Sequence, residues 1–235
     1  MKVTEIRNKL QALANKEDAK FAQKFFKTAP GQYGAGDIFL GIRVPQLRQL
    51  AKEYKSIELV EIVELLKSNF HEERALALFI LVLIFQKANE ILQKEIYNLY
   101  LNNTNFINNW DLVDVSASHI VGKFLANKNK DILYQLAKSD SLWERRISII
   151  ATHYFIKNND FTDTLKISEI LLKDKEDLIH KAVGWMLREV GKKNLKVEED
   201  FLAIHYKIMP RTMLRYAIEK FPENIRQQYL KNRLS

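Results

Sequence analysis

Apolar residues recur at helical spacing almost from end to end of this 235-residue chain, and no stretch shows the period of two that marks a strand. The pattern predicts helices near residues 2–16, 17–28, 45–54, 57–68, 71–87, 89–102, 109–126, 130–138, 141–158, 160–173, 175–192, 197–208, 211–220 and 223–231. Ser56 and Asp140-Ser141 stand where N-caps belong. The prolines of Val44-Pro45 and Phe221-Pro222 fall at helix starts, where a missing N–H is harmless. The chain has only 7 glycines and 4 prolines, too few for the many turns of an all-β fold. The expected fold class is therefore all-α.

The helices come in pairs that look repeated. Arg74-Ala75-Leu76-Ala77, Arg146-Ile147-Ser148-Ile149, Lys181-Ala182-Val183-Gly184 and Arg215-Tyr216-Ala217-Ile218 each set a basic residue before small or apolar ones, at offsets of 72, 35 and 34. An offset of 72 is two units of 36, and the skipped unit falls at Trp110-Asp111-Leu112-Val113-Asp114. This period predicts an α-solenoid of HEAT-like helix pairs, one domain over residues 1–235, with a concave face lined by one helix of each pair. A shared register would gather the basic residues into one groove.

Residue content narrows the chemistry. The chain has no cysteine, hence no disulfide, thiolate nucleophile or Cys-ligated metal, which suits a reducing, cytoplasmic setting. Met1-Lys2-Val3-Thr4-Glu5 lacks the apolar stretch of a signal peptide, and the most apolar run, Ala75 to Phe85, is about half a membrane span and reads as a buried helix. His71, His119, His153, His180 and His205 show no metal-ligand spacing and are expected to be surface or core residues. No nucleophile elbow, zinc finger, RRM or KH signature appears. Pro30-Gly31-Gln32-Tyr33-Gly34-Ala35-Gly36 reads as a mobile loop, with no Gly-Lys-Ser/Thr to make it a phosphate loop. No cofactor, metal or membrane is expected. The net charge of +8 suits a polyanionic partner but also a solvated lysine-rich surface, so placement must decide.

Placement is most informative at residues 175–192. At about 100° per residue, Ile179, Ala182, Val183, Met186, Leu187 and Val190 form an apolar face, while Lys181, Trp185, Arg188 and Lys192 fall opposite. A tryptophan in a cationic stripe can meet a base or sugar while its neighbours hold phosphates; the competing reading is a second helix covering that side. Trp110 and Asp114 lie one turn apart on one face, with Asp114 at the edge of the buried side formed by Val113, Ala117, Ile120 and Phe124. Asp111 reads as a helix-start acid favoured by the macrodipole, a reading that is weaker for Asp114. Arg146, Ile150, His153 and Lys157 share a flank, and Arg145 points elsewhere, toward solvent. Trp143, at its helix start, reads as a core or interface residue.

The segments Phe39-Leu40-Gly41-Ile42-Arg43-Val44-Pro45-Gln46-Leu47-Arg48, Trp110-Asp111-Leu112-Val113-Asp114, Trp143-Glu144-Arg145-Arg146 and Lys181-Ala182-Val183-Gly184-Trp185-Met186-Leu187-Arg188-Glu189 resemble the AlkD family of bacterial alkylpurine DNA glycosylases, most clearly over residues 38–220. The resemblance implies a HEAT-like solenoid whose concave surface holds duplex DNA. It implies excision of cationic N3- and N7-alkylated purines by hydrolysis of the N-glycosidic bond, without a base pocket. Asp114 matches the family's catalytic aspartate, and Trp110 and Trp185 match the tryptophans that flank the lesion's deoxyribose. Arg146 or Arg145 matches the arginine beside them; helical face and repeat register favour Arg146. The family's N-terminal tyrosine is answered here by Phe25-Phe26, without the hydroxyl. Arg43, Arg48, Arg145, Lys157, Lys181, Arg188, Lys192, Arg211 and Arg215 are the expected DNA contacts. The expected enzyme is a monomer acting on double-stranded DNA that contains alkylated purines. The alternatives are a non-catalytic DNA-structure binder or a protein-interaction array on the same scaffold.

Overall fold

The computed structural model describes residues 2–231. Among these residues no strand forms; the β-type contact seen is an isolated parallel bridge between Ile38 and Phe70. The all-α expectation holds. No described helix is long and apolar enough to cross a membrane. The chain divides into two compact units, one ending at Ile120 and one beginning at Val121.

The first unit contains α1 (Lys2–Leu13), α2 (Lys16–Phe25), α3 (Val44–Glu53), α4 (Leu59–Leu66), α5 (His71–Lys87), α6 (Glu90–Leu101), a 3₁₀ turn (Thr104–Phe106) and α7 (Trp110–Ala117). Asn15 caps α2 by accepting from the backbone N–H groups of Glu17 and Asp18 at 3.0 and 3.1 Å. The Ser56 cap is not used. Helix α4 starts later, with Glu58 as N-cap and its N–H on Glu61 Oε2 at 3.4 Å, the reciprocal arrangement of a capping box.

Helix α5 is the axis of this unit, packing against α3, α4 and α7. It contains the run Ala75 to Phe85, and Leu76, Leu78, Ile80, Leu81 and Phe85 are fully buried. A helix apolar all round must be enclosed. Truncating any one of these side chains to alanine removes packing worth roughly 2–5 kcal/mol. The charged residues that open α5 are buried as well. Glu72 accepts the N–H groups of Leu40, Gly41 and Ile42 at 2.9, 2.8 and 3.3 Å. Gly41 has φ +77°, and its backbone presses on Asn15 and Ala19, where a side chain has no room. The Phe39–Arg48 motif thus lays the chain across the start of α5.

The second unit contains α8 (Lys123–Leu125), α9 (Asp131–Leu136), α10 (Leu142–Ala151), α11 (His153–Lys157), α12 (Thr162–Leu171), α13 (Asp177–Lys193), α14 (Leu195–His205), α15 (Arg211–Ala217), a 3₁₀ turn (Ile218–Lys220) and α16 (Glu223–Leu230). The single helix expected over 109–126 is instead α7, a π-helical stretch at Ser118–Gly122, and α8. The helix expected over 141–158 breaks at Thr152, whose hydroxyl donates back to the Ile149 carbonyl at 2.7 Å. Ser141 is the N-cap of α10, as expected. Helix α13 packs against α10, α12, α14 and α15. Gly184 is where α13 and α15 come closest: a Cβ there would run into the Met213 carbonyl and the Tyr216 side chain.

Alternate helices therefore stack within each unit, α3 on α5 on α7 and α10 on α13 on α15. The expected register puts Arg74 on α5 and Arg146, Lys181 and Arg215 on α10, α13 and α15. It does not make a uniform row of phosphate-binding cations, because Arg74 and Arg146 are buried while Arg215 is exposed.

Candidate functional site

In the first unit the start of α7 is held by a buried polar network. Asp37 Oδ1 accepts from Arg74 Nη2 at 2.5 Å, and Asp37 Oδ2 accepts from Asn109 Nδ2 at 3.1 Å. Asn109 caps α7 by accepting the Trp110 N–H at 2.8 Å. His71 stands between two carboxylates, with Nδ1 3.2 Å from Asp37 Oδ2 and Nε2 2.8 Å from Asp111 Oδ2. Burial pushes His71 down, but Asp111 and then Asp37 more than reverse this, raising it to about 9. The ring is therefore an imidazolium at neutral pH, with a proton on each nitrogen. Burial works to raise Asp37, and His71, Arg74 and Asn109 overcome it, holding Asp37 below its ordinary value. Asp111 is thus more than a helix-start acid: it is the far anchor of His71.

Trp110 is half-buried on this frame. Its ring lies near-parallel to Phe26 at 5.4 Å and edge-on to Phe25 at 6.0 Å. Asp114, one turn further on and half-exposed, lines a cleft of about 420 Å³ with Arg48, Lys52, Phe79, Gln86 and His119. The Arg48 guanidinium sits 4.9 Å from the centre of the Phe79 ring, a cation–π contact that holds it at the cleft. Arg43, also exposed, pairs with Asp18 at 3.2 Å.

The second unit places the other expected residues. Arg146 is buried and donates to the Leu178 carbonyl at 2.6 Å. Arg145 is not solvated. It is half-buried, donates to Asp174 at 2.6 Å and ties down the carbonyls of Ser139 and Asp140, both at 2.9 Å. Trp185 is half-buried 5.7 Å from the His153 ring, and its indole N–H donates to Glu189 Oε1 at 3.1 Å. The same oxygen takes Lys192 at 2.7 Å, and Arg188 pairs with Glu219. Lys181 pairs with Asp177 at 2.8 Å. The stripe around Trp185 is thus a mixed ion-pair lattice with Glu189 at its centre. Lys157, Arg211 and Arg215 are exposed, and Arg211 reaches the Leu230 carbonyl at 2.7 Å.

Sequence reasoning missed Asp37, His71 and Asn109 as positioning groups, and Lys52 and His119 in the Asp114 cleft. The available signal was His71-Glu72-Glu73-Arg74, four charged or titratable residues directly before an apolar run with no polar face. Such a helix start has to be buried and paired.

Residues 6–221 match the family model described as DNA alkylation repair enzyme. The chain belongs to that family. This places it in DNA alkylation repair, with DNA as its partner, and bears out the AlkD resemblance. A predicted DNA alkylation repair enzyme from Enterococcus faecalis is similar in fold, with a TM-score of 0.68 at 17% identity over 89% of this chain and 97% of that one. AlkD2 from Streptococcus mutans is similar with a TM-score of 0.56 at 18% identity over 88% and 99%. No curated protein matches the chain. Trp110 and Asp114 thus set an indole and a carboxylate on one helical face in a member of the DNA alkylation repair family.

Proposed function

We propose that this DNA alkylation repair protein is a monomeric DNA glycosylase that hydrolyses the N-glycosidic bond of cationic N3- or N7-alkylated purines in duplex DNA. The observation that carries the reading is Asp114, half-exposed in its cleft one turn from Trp110 and the sole carboxylate among the residues lining that cleft. A cationic alkylpurine leaves without being protonated, so no second, acidic carboxyl is required. Departure leaves positive charge on the sugar. The Asp114 carboxylate stabilises that charge and orients the attacking water. The exposed face of Trp110 adds a cation–π attraction of roughly 0.5–2 kcal/mol. Arg48 and Lys52 beside Asp114 suit phosphate contacts. In the second unit the reading assigns Trp185 to sugar contact and Arg146 to holding the helix start next to it. The exposed Arg43, Lys157, Arg211 and Arg215 are assigned to the backbone.

The test is to incubate the protein with methylated duplex DNA and measure free 7-methylguanine. Wild type should release it. Asp114→Asn should abolish release while leaving DNA affinity nearly unchanged. Normal cleavage by Asp114→Asn refutes the mechanism. Salt-sensitive DNA binding without release by wild type indicates a non-catalytic DNA-structure binder, and no preference for DNA over other polyanions indicates a protein-interaction array.

A further inference from the structure

Helix α2 buries none of its side chains. Its outer side is aromatic all the same: Phe21 is 69% exposed and Phe25 54%, with their rings near-parallel at 6.2 Å. Every other phenylalanine in the chain is buried or half-buried. One exposed apolar residue is ordinary, but two rings one turn apart on one helix face make a contact surface.

Charge and position say what covers it. Lys20 and Lys24 are exposed and also one turn apart, each one position before a ring, so a cationic row runs beside the aromatic one. Lys20 pairs with Glu17 at 3.0 Å, an exposed ion pair that a phosphate replaces at little cost. Phe25 meets Trp110 edge-on at 6.0 Å, and Asp18 of the same helix pairs with Arg43 at 3.2 Å. The surface is therefore continuous with two residues already assigned to DNA, in a member of a DNA alkylation repair family. Rings beside cations suit a nucleic acid, the rings meeting sugars and bases while the cations meet phosphates. A lipid surface is the poorer match, because the apolar row is only two rings long.

We propose that α2 is a DNA-contacting helix, with Phe21 and Phe25 packed against the sugars and base edges of the duplex and Lys20 and Lys24 on the phosphates beside them. This rests on DNA as the partner and not on base excision, since undamaged duplex makes the same contacts.

Anisotropy of a fluorescein-labelled undamaged duplex, titrated with the full chain at several salt concentrations, tests the proposal without any cleavage. Phe21→Ala should weaken binding about tenfold with the salt slope unchanged, because a ring displaces no counterion. Phe21→Trp keeps an apolar ring and should restore most of the affinity. Lys20→Ala and Lys24→Ala should each lower the salt slope by about 1. Wild-type affinity in Phe21→Ala, or an unchanged slope in both lysine variants, overturns the proposal. So does a Phe21 whose loss leaves DNA binding intact but abolishes binding to phosphatidylglycerol vesicles or self-association in sedimentation. The lysine slopes decide the matter if Phe21→Ala disturbs α2. Base release plays no part in these measurements, so failure of the glycosylase reading leaves their outcome standing.

Discussion

His71 Nε2 lies 2.8 Å from Asp111 Oδ2, and this contact joins the first residue of α5 to the first turn of α7. The helix that carries Trp110 and Asp114 is therefore positioned by a charged group in the core.

That contact makes stability depend on alkaline pH. His71 is raised from an ordinary 6.5 to about 9, so the native state holds a proton that the unfolded chain gives up. The stabilisation is fully present below about pH 6.5 and is lost as pH rises through about 9, a loss on the order of 1–3 kcal/mol. Thermal melts of wild type and His71→Gln should converge between about pH 7 and about pH 10. A constant gap across that window refutes the assignment.

Asp37 holds Arg74, His71 and Asn109 together. Asp37→Ala leaves two buried cations short of a counter-charge and releases the cap residue of α7. The expected loss is about 3–5 kcal/mol. Urea unfolding measures it; a loss under about 1 kcal/mol would show the network to be dispensable.

Glu198 is buried on α14 against Gly191 of α13. Burial, with Glu199 adding to it and Arg188 opposing, raises its carboxyl to about 8. The proton bound in the native state stabilises the fold below the ordinary value of 4.5, and this is lost as pH rises through about 8. Glu198→Gln removes the titration. It should match wild type near pH 5 and be more stable above about pH 8 by roughly 1–3 kcal/mol, read from urea midpoints.

Arg48 and Arg146 should separate binding from folding. Arg48 is exposed at the Asp114 cleft, so Arg48→Ala should weaken binding to any DNA sequence and lower the salt slope by about 1 with Tm unchanged. Arg146 is buried on the Leu178 carbonyl, so Arg146→Ala should lower Tm, with a loss of about 1–3 kcal/mol. Melting and filter-binding at two salt concentrations distinguish them, and the reverse pattern would exchange their roles.

Gly184 lets α13 and α15 approach. Gly184→Ala must push the helices apart or strain the Met213 carbonyl, and should cost about 1–3 kcal/mol despite alanine's better helix propensity. A stabilised variant would show that the contact relaxes freely.

Periodicity alone was enough to define the all-α class and most helix positions, because an amphipathic face repeats at 3.6 residues wherever a helix meets a core. The enclosure of α5 was legible for the same reason: Ala75 to Phe85 has no polar side to leave in water. The Trp110–Asp114 face followed from spacing within one helix. Tertiary structure decided the rest. Arg145 and Arg146 look like surface cations in sequence, yet each is bound to a partner at least 6 residues away. Glu219 takes Arg188 from outside α13, a pairing that depends on which segment packs alongside, whereas Glu189 meets Trp185 and Lys192 at helical spacing within α13. The union of Asp37, His71 and Asp111 spans 74 residues of chain and exists only because α5 and α7 stack. Local spacing sets which face a side chain occupies. What it meets there, and hence whether its charge serves the fold or a ligand, is settled by long-range packing.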